Sequence, residues 1–138
     1  MKALTLSILK PDAMAKRLAG RILTRIEEEG FRLRGLRLVH LTGAQAEGFY
    51  EEHREKPFFG SLVKFMTGGP VIVMALEKEN GIADLRKLMG ATDPAKADPN
   101  TLRKLYGSTI ERNAIHGSSD PDSARREVRY FFPDFELI

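Results

Sequence analysis

Between residues 3 and 9, Leu4, Leu6 and Ile8 alternate with Thr5 and Ser7. That period of two predicts a strand with one face in the core. Pro11 cannot donate to a sheet ladder, so the strand stops with Lys10 at its tip. Leu18, Ile22 and Ile26 then recur every four residues, with Leu23 beside them. This is the stripe of an amphipathic helix, and Gly30 is placed to end it. Alternation returns over residues 31–41 but changes phase. Phe31 and Leu33 are expected to face one way, Leu36 and Leu38 the other. Gly35 sits at the slip and predicts a β-bulge in a long strand.

Thr42-Gly43-Ala44-Gln45 has the form of a capping box, so a helix is expected from there to about His53. Pro57 precedes a second helical stretch, Phe58 to Met66. Two adjacent aromatics on a helix cannot both enter one core, which leaves Phe58 or Phe59 exposed. Gly68-Gly69-Pro70 predicts a turn. Val71 to Leu76 is apolar at every position, the pattern of a central strand covered on both faces. Asn80 is placed to cap the next helix. Ile82, Leu85, Leu88 and Met89 form its buried stripe, with Arg86 on the flank and Gly90 at the end. Residues 90–112 read as loop with a short helix from Thr101 to Tyr106. Pro121 opens a final helix at the favoured first position. Ala124, Val128 and Phe131 face inward there, and Glu127 borders them.

The order is strand, helix, strand, helix pair, strand, helix, loop, strand, helix. Such alternation argues for an α/β structure with helices layered on a sheet. Its last strand, carrying His116, should be an edge or a neighbour of the first. With 138 residues and no internal repeat or linker, one domain spanning 1–138 is expected. Cysteine is absent, which excludes disulfides, thiolate catalysis and Cys-based metal sites. The opening run lacks a charged region before an apolar one, so no signal peptide is expected. No apolar stretch approaches membrane-spanning length. A net charge of +3 is too small for a protein that coats nucleic acid, but allows a local anion site.

The candidate chemistry gathers around Arg112-Asn113-Ala114-Ile115-His116-Gly117-Ser118-Ser119-Asp120. A histidine at a strand end beside a glycine suits a nucleophile or general base. Imidazole, with an ordinary pKa of about 6.5, is largely neutral at pH 7. A phosphoryl acceptor also needs cations, which Lys10, Arg86 and Arg103 could supply, with Thr92 as a neutral donor. Arginine suits phosphate through its planar fork. Each residue has a plainer alternative. A lone histidine is more often structural, Arg86 and Arg103 could be surface charges, and Glu127 could be an ordinary ion-pair partner. No spacing forces these residues together. His40 and His53 read as structural or solvated. Neither a metal-binding HxxxH spacing nor a GxxxxGK[ST] loop is present.

Asn113-Ala114-Ile115-His116-Gly117-Ser118-Ser119-Asp120 resembles the N-x-x-H-G-S-D signature of nucleoside diphosphate kinases, with the serine doubled. The similarity extends to Thr5–Asp12, to Phe49-Tyr50 through His53, to Pro57-Phe58-Phe59 and to Leu62–Met66. It continues through Gly69-Pro70-Val71 and from Arg86 to Pro94. The segment Arg103-Lys104-Leu105-Tyr106 departs from the family's R-x-D-F, and Glu111 places a carboxylate just before the motif.

The resemblance implies a ferredoxin-like βαββαβ fold, an α+β sandwich with a four-stranded antiparallel sheet. It implies an enzyme that moves the terminal phosphate of a nucleoside triphosphate, mainly ATP, to a nucleoside diphosphate. Transfer would be ping-pong through phospho-His116, formed at Nδ1. Lys10 would reach the phosphates and the sugar 3′-hydroxyl, and Asn113 that same hydroxyl. Phe58 would stack the base, with Leu62 and Ile110 lining the slot. Arg86, Thr92 and Arg103 would hold phosphate, while Tyr50, Ser118 and Glu127 orient the histidine. The metal is expected to be Mg²⁺ carried by the nucleotide, with no direct protein ligand and Asp120 nearest for a water-mediated contact. A cytoplasmic homo-oligomer, tetramer or hexamer, is expected, without nucleic-acid or membrane partners. Two rivals fit less well. An RNA-binding sheet lacks its aromatic RNP pattern here, and a phosphorelay domain would place the histidine on a bundle helix.

Overall fold

The computed structural model describes residues 2–138. Four strands form one antiparallel sheet: β1 (Lys2–Leu9), β2 (Arg32–Val39), β3 (Val71–Glu79) and β4 (Ile115–Gly117). Their order is β2-β3-β1-β4, so β1 and β3 are central and β4 is an edge that pairs only with β1. This is the ferredoxin-like arrangement. Helices α1 (Pro11–Ala15) and α2 (Ala19–Glu28) follow β1. Between β2 and β3 come α3 (Gly43–Phe49) and α4 (Phe59–Met66), and α5 (Gly81–Met89) follows β3. Helices α6 (Leu102–Tyr106) and α7 (Pro121–Phe131) flank β4.

The sheet is covered on both faces. On one face Ile22 and Ile26 of α2 and Leu85, Leu88 and Met89 of α5 pack on Ile72, Met74, Leu76 and Ile115. On the other, Phe49 of α3, Phe65 and Met66 of α4 and Val128 of α7 pack on Leu6, Ile8, Val71 and Val73. The expectation that β1 turns one face outward is therefore corrected: Thr5 and Ser7 are fully buried. Alternating hydroxyl residues mimic a half-exposed strand. Ser7 is accommodated because its Oγ donates to the His116 carbonyl at 2.8 Å.

The bulge lies where Gly35 predicts it, between Leu33 and Gly35. Its consequence reverses the facing expected of β2. Leu33 pairs with Leu76, Leu36 with Met74 and Leu38 with Ile72, all on one face. The extra residue cancels the slip in sequence phase. Gly35 is required there, since a Cβ would come within 2.9 Å of the Phe132 ring.

The predicted elements otherwise stand, with three differences. Helix α3 ends at Phe49 and a 3₁₀ turn, Glu51–His53, continues it. Helix α1 was not expected after Pro11. Asn80 precedes α5 but adopts a left-handed conformation (φ 56°) and makes no side-chain cap. The capping box at Thr42 and Gln45 is complete. Among the described residues no helix is long and apolar enough to cross a membrane.

Candidate active site

His116 is placed by strand pairing. It sits opposite Ile8 on β1, with its ring edge-on to Phe49 at 5.4 Å between centroids. Its Nε2 lies 2.8 Å from Glu127 Oε1 on α7. An ionised carboxylate only accepts, so Nε2 carries the hydrogen and donates it. In the neutral ring Nδ1 then keeps a free lone pair. Ser118 Oγ donates to the same Glu127 oxygen at 2.8 Å and accepts from the Leu6 amide at 3.1 Å. Burial would raise the Glu127 carboxyl, but the His116 and Ser118 hydrogen bonds and the Arg126 charge hold it below its ordinary value. Tyr50, packed edge-on against Phe49, has its phenol pushed up by burial and by the Glu127 charge, so it stays protonated.

The loop before β4 is fixed from below. Ala114 takes a left-handed conformation (φ 74°) that costs a non-glycine residue energy. It is held by Asp12 Oδ2, which accepts from the Ala114 amide at 3.0 Å, and by the Lys10 amide, which donates to the Ala114 carbonyl at 2.9 Å. This turn points Asn113 at Lys10. Lys10 Nζ donates to Asn113 Oδ1 at 2.9 Å and to the Glu111 carbonyl at 2.7 Å. Far from being a solvated strand tip, Lys10 is only 7% exposed. Burial pushes its ammonium down to about 8, with Arg103 adding to the shift and Asp12 and Glu111 opposing it.

Arg103 reaches back from α6. Its Nη1 donates to the Gly90 carbonyl at 3.1 Å and its Nη2 to the Ile115 carbonyl at 2.9 Å. Among the described residues its buried Nε has no partner. Burial and the neighbouring Arg86 charge lower the guanidinium to about 10. Asn113 Nδ2 donates to the Thr92 carbonyl at 3.0 Å, tying the long loop to the histidine strand.

A cavity of about 390 Å³ opens above these groups. Lys10, Tyr50, Thr92, Arg103, Asn113 and His116 form its charged and polar end. Phe58, Leu62 and Ile110 form an apolar mouth, with Phe58 47% and Ile110 60% exposed. Phe59 instead packs against the core, which settles which of the two adjacent rings is free. Serine 118 and Glu127 stand behind His116. Arg86 lies outside this lining, in a neighbouring cleft with Ser119 and Asp120, although its charge is felt by Arg103.

Two polar cavity residues escaped the sequence reading. His53 lines the wall, its ring 5.7 Å from Phe58 and 6.3 Å from Tyr50. The three-residue step from Tyr50 along one helical turn was the available signal. Glu111 lines it too, through the loop that closes over Lys10. His40 does keep to a structural role, its Nε2 2.7 Å from the Thr67 carbonyl. Asp120 caps α7 by accepting from the Ser123 amide at 2.8 Å, a bond that also lowers its carboxyl.

An imidazole with one nitrogen pinned and the other free, facing fixed cations across a cavity with an apolar mouth, suits phosphoryl transfer from a flat-ringed donor. The family model for nucleoside diphosphate kinase matches residues 3–137. The chain belongs to the nucleoside diphosphate kinase family. It is 54% identical over 133 residues to the nucleoside diphosphate kinase of Sorangium cellulosum, covering 96% of this chain and 92% of that one. It is equally similar to that of Trichlorobacter lovleyi, with 97% of each chain covered. Among solved structures, the Aquifex aeolicus nucleoside diphosphate kinase superposes with a TM-score of 0.98 at 41% identity, over the whole of both chains. The Halobacterium salinarum nucleoside diphosphate kinase, solved in complex with CDP, gives 0.96 at 39% identity, covering 100% of this chain and 92% of that one. As a nucleoside diphosphate kinase, the enzyme transfers the γ-phosphate of a nucleoside triphosphate to a nucleoside diphosphate by a ping-pong route through a phosphohistidine.

Proposed function

We propose that the phosphohistidine forms on His116 Nδ1. The observation that carries this is the His116–Glu127–Ser118 chain, which occupies Nε2 of a ring that lines the cavity and leaves Nδ1 as the nucleophilic nitrogen. The Nδ1 lone pair attacks the γ-phosphorus. A P–N bond forms, the bond from phosphorus to the β-bridging oxygen breaks, and the nucleoside diphosphate leaves with that electron pair. Glu127 stabilises the positive charge that the ring acquires, while Nε2 keeps its proton. A second nucleoside diphosphate enters the same cavity and the steps reverse.

Lys10 and Arg103 hold the phosphates, and Arg86, whose charge is felt at Arg103, adds to the positive field there. Their catalysis is positioning and charge stabilisation, as in phosphoryl transfer generally. Thr92 and His53 add donors, and Asn113 positions Lys10 and the sugar. Tyr50, kept protonated, packs against the ring that orients His116. Mg²⁺ fits this site as a cation brought by the nucleotide. Among the described residues no cluster of three His, Asp or Glu side chains could hold a metal. Glu127 is committed to His116, while Asp120 caps α7 through Oδ1 and keeps an exposed carboxylate as the nearest group for a water-mediated contact. Brought with the nucleotide, Mg²⁺ would supply positive charge that offsets that of the phosphates.

The substrates are nucleoside tri- and diphosphates, ATP foremost as donor, and the role is upkeep of triphosphate pools in the cytoplasm by one domain, residues 1–138. Assembly into a tetramer or hexamer is supported by edge strand β2, which leaves Leu36 and Leu38 44% and 66% exposed. Incubation with γ-labelled ATP and Mg²⁺ should put an acid-labile, base-stable label on the protein. A protein that stays unlabelled under turnover conditions would sink the mechanism. Phe58→Ala should weaken all nucleotides about tenfold, since stacking is worth about 1–3 kcal/mol per base and every base has a π-face. Titrating purine and pyrimidine diphosphates checks this, and loss confined to one base would contradict it.

A further inference from the structure

The apolar mouth is built from two separate segments. Phe58 is the N-cap residue of α4 and Leu62 lies within it, while Ile110 belongs to the loop before β4. Nothing in the sheet fixes their separation, because that loop reaches its strand only at Ile115. The loop is closed on itself, with the Ser108 and Thr109 amides donating to the Arg112 carbonyl. It touches α4 at two points. Ser61 Oγ donates to Glu111 Oε2 at 2.8 Å, and the Arg112 guanidinium lies over the Phe65 ring at 4.9 Å. Ser61 is one residue from Leu62, and Glu111 one residue from Ile110. The hydrogen bond therefore joins the two sides of the mouth next to the residues that line it. Glu111 is held a second time, since its carbonyl accepts from Lys10 Nζ.

We propose that the Ser61–Glu111 hydrogen bond is a clasp that sets the width of the base slot, making both side chains positioning residues for the nucleobase. The clasp rests on the reading that Phe58 holds the base. It acts before any chemistry: with the two sides joined, the slot is preformed and less ordering is needed when a base enters. Through Glu111 it also links the base end of the cavity to Lys10 at the phosphate end. Neither Ser61 nor the Glu111 carboxylate needs to touch the nucleotide for this effect.

The test is a double-mutant cycle on binding of ADP to the unphosphorylated protein. Ser61→Ala and Glu111→Ala should each weaken ADP about three- to tenfold, the range of one ordinary net hydrogen bond. The double variant should be no worse than either alone, and Glu111→Gln, which keeps an acceptor, should bind ADP about as tightly as wild type. Ribose 5-diphosphate, which has no base, should accept phosphate from phosphorylated Ser61→Ala at the wild-type rate. Thermal melts check that each variant is folded. Losses that add in the double variant, ADP affinity unchanged in both single variants, or an equal loss with ribose 5-diphosphate would each overturn the clasp. The underlying slot reading fails separately, through Phe58→Ala that leaves ADP affinity intact.

Discussion

His116→Ala eliminates the acid-labile label, and transfer between nucleotides falls by on the order of 10⁴- to 10⁶-fold, the scale of losing a nucleophile. ADP affinity stays within a few-fold, because the Lys10 and Arg103 contacts and the Phe58 slot do not run through the imidazole. The variant is also less stable, for a reason specific to this site. Glu127 is 4% exposed and loses its strongest partner, keeping only Ser118 and the more distant Arg126 at 3.8 Å. An ionised carboxylate left so poorly paired in the interior is costly. With His116 present, the Glu127 carboxyl lies below its ordinary value in the folded state. That group contributes stability above its unfolded pKa, and the contribution is lost as pH falls through the lowered folded value. In His116→Ala the shift turns upward, so mild acid should raise the melting temperature of the variant relative to wild type. Adding Glu127→Gln should restore part of the stability at neutral pH and none of the label. A label of wild-type strength on His116→Ala would place the nucleophile elsewhere.

Periodicity located the sheet and helices because core contact imposes a period of two on strands and about 3.6 on helices. It misread β1 because threonine and serine are small enough to be buried when their hydroxyls or backbone find partners, as Ser7 does at the His116 carbonyl. It misread β2 because a bulge changes sequence parity without changing the face, which only the register with Leu76, Met74 and Ile72 reveals. The site was legible in a different way. Spacing alone left Lys10, Arg86, Arg103, Asn113 and His116 as unconnected residues, since the contacts that join them span the chain. The Lys10–Asn113 bond crosses 103 positions. Family resemblance supplied the grouping, and the left-handed Ala114 turn supplies its physical cause. His53 and Glu111 were missed because each sits on a short irregular segment where side-chain direction does not follow from a period.

Raising pH should take activity and stability in opposite directions, and Lys10 is the reason. Its ammonium is buried in the folded protein with a pKa of about 8, against 10.5 for an ordinary lysine. Above pH 8 the free enzyme loses the cation proposed to meet the phosphates, so kcat/KM for ATP should fall with the slope of one proton. Bound phosphate favours the charged form, so kcat should hold to higher pH than kcat/KM. Stability has the other sign. Between pH 8 and 10.5 the unfolded chain binds more protons at this group than the folded one, so unfolding free energy rises with pH there. The full difference is on the order of 3 kcal/mol, at about 1.4 kcal/mol per pKa unit. Lys10→Met should remove both effects: kcat/KM falls by about 10²- to 10³-fold, the usual loss for one preorganised donor, and its remaining pH dependence loses the step near 8. Paired pH profiles of initial rate and urea midpoint for the two proteins decide the matter. A step near pH 8 that persists in Lys10→Met would assign the titration to another group.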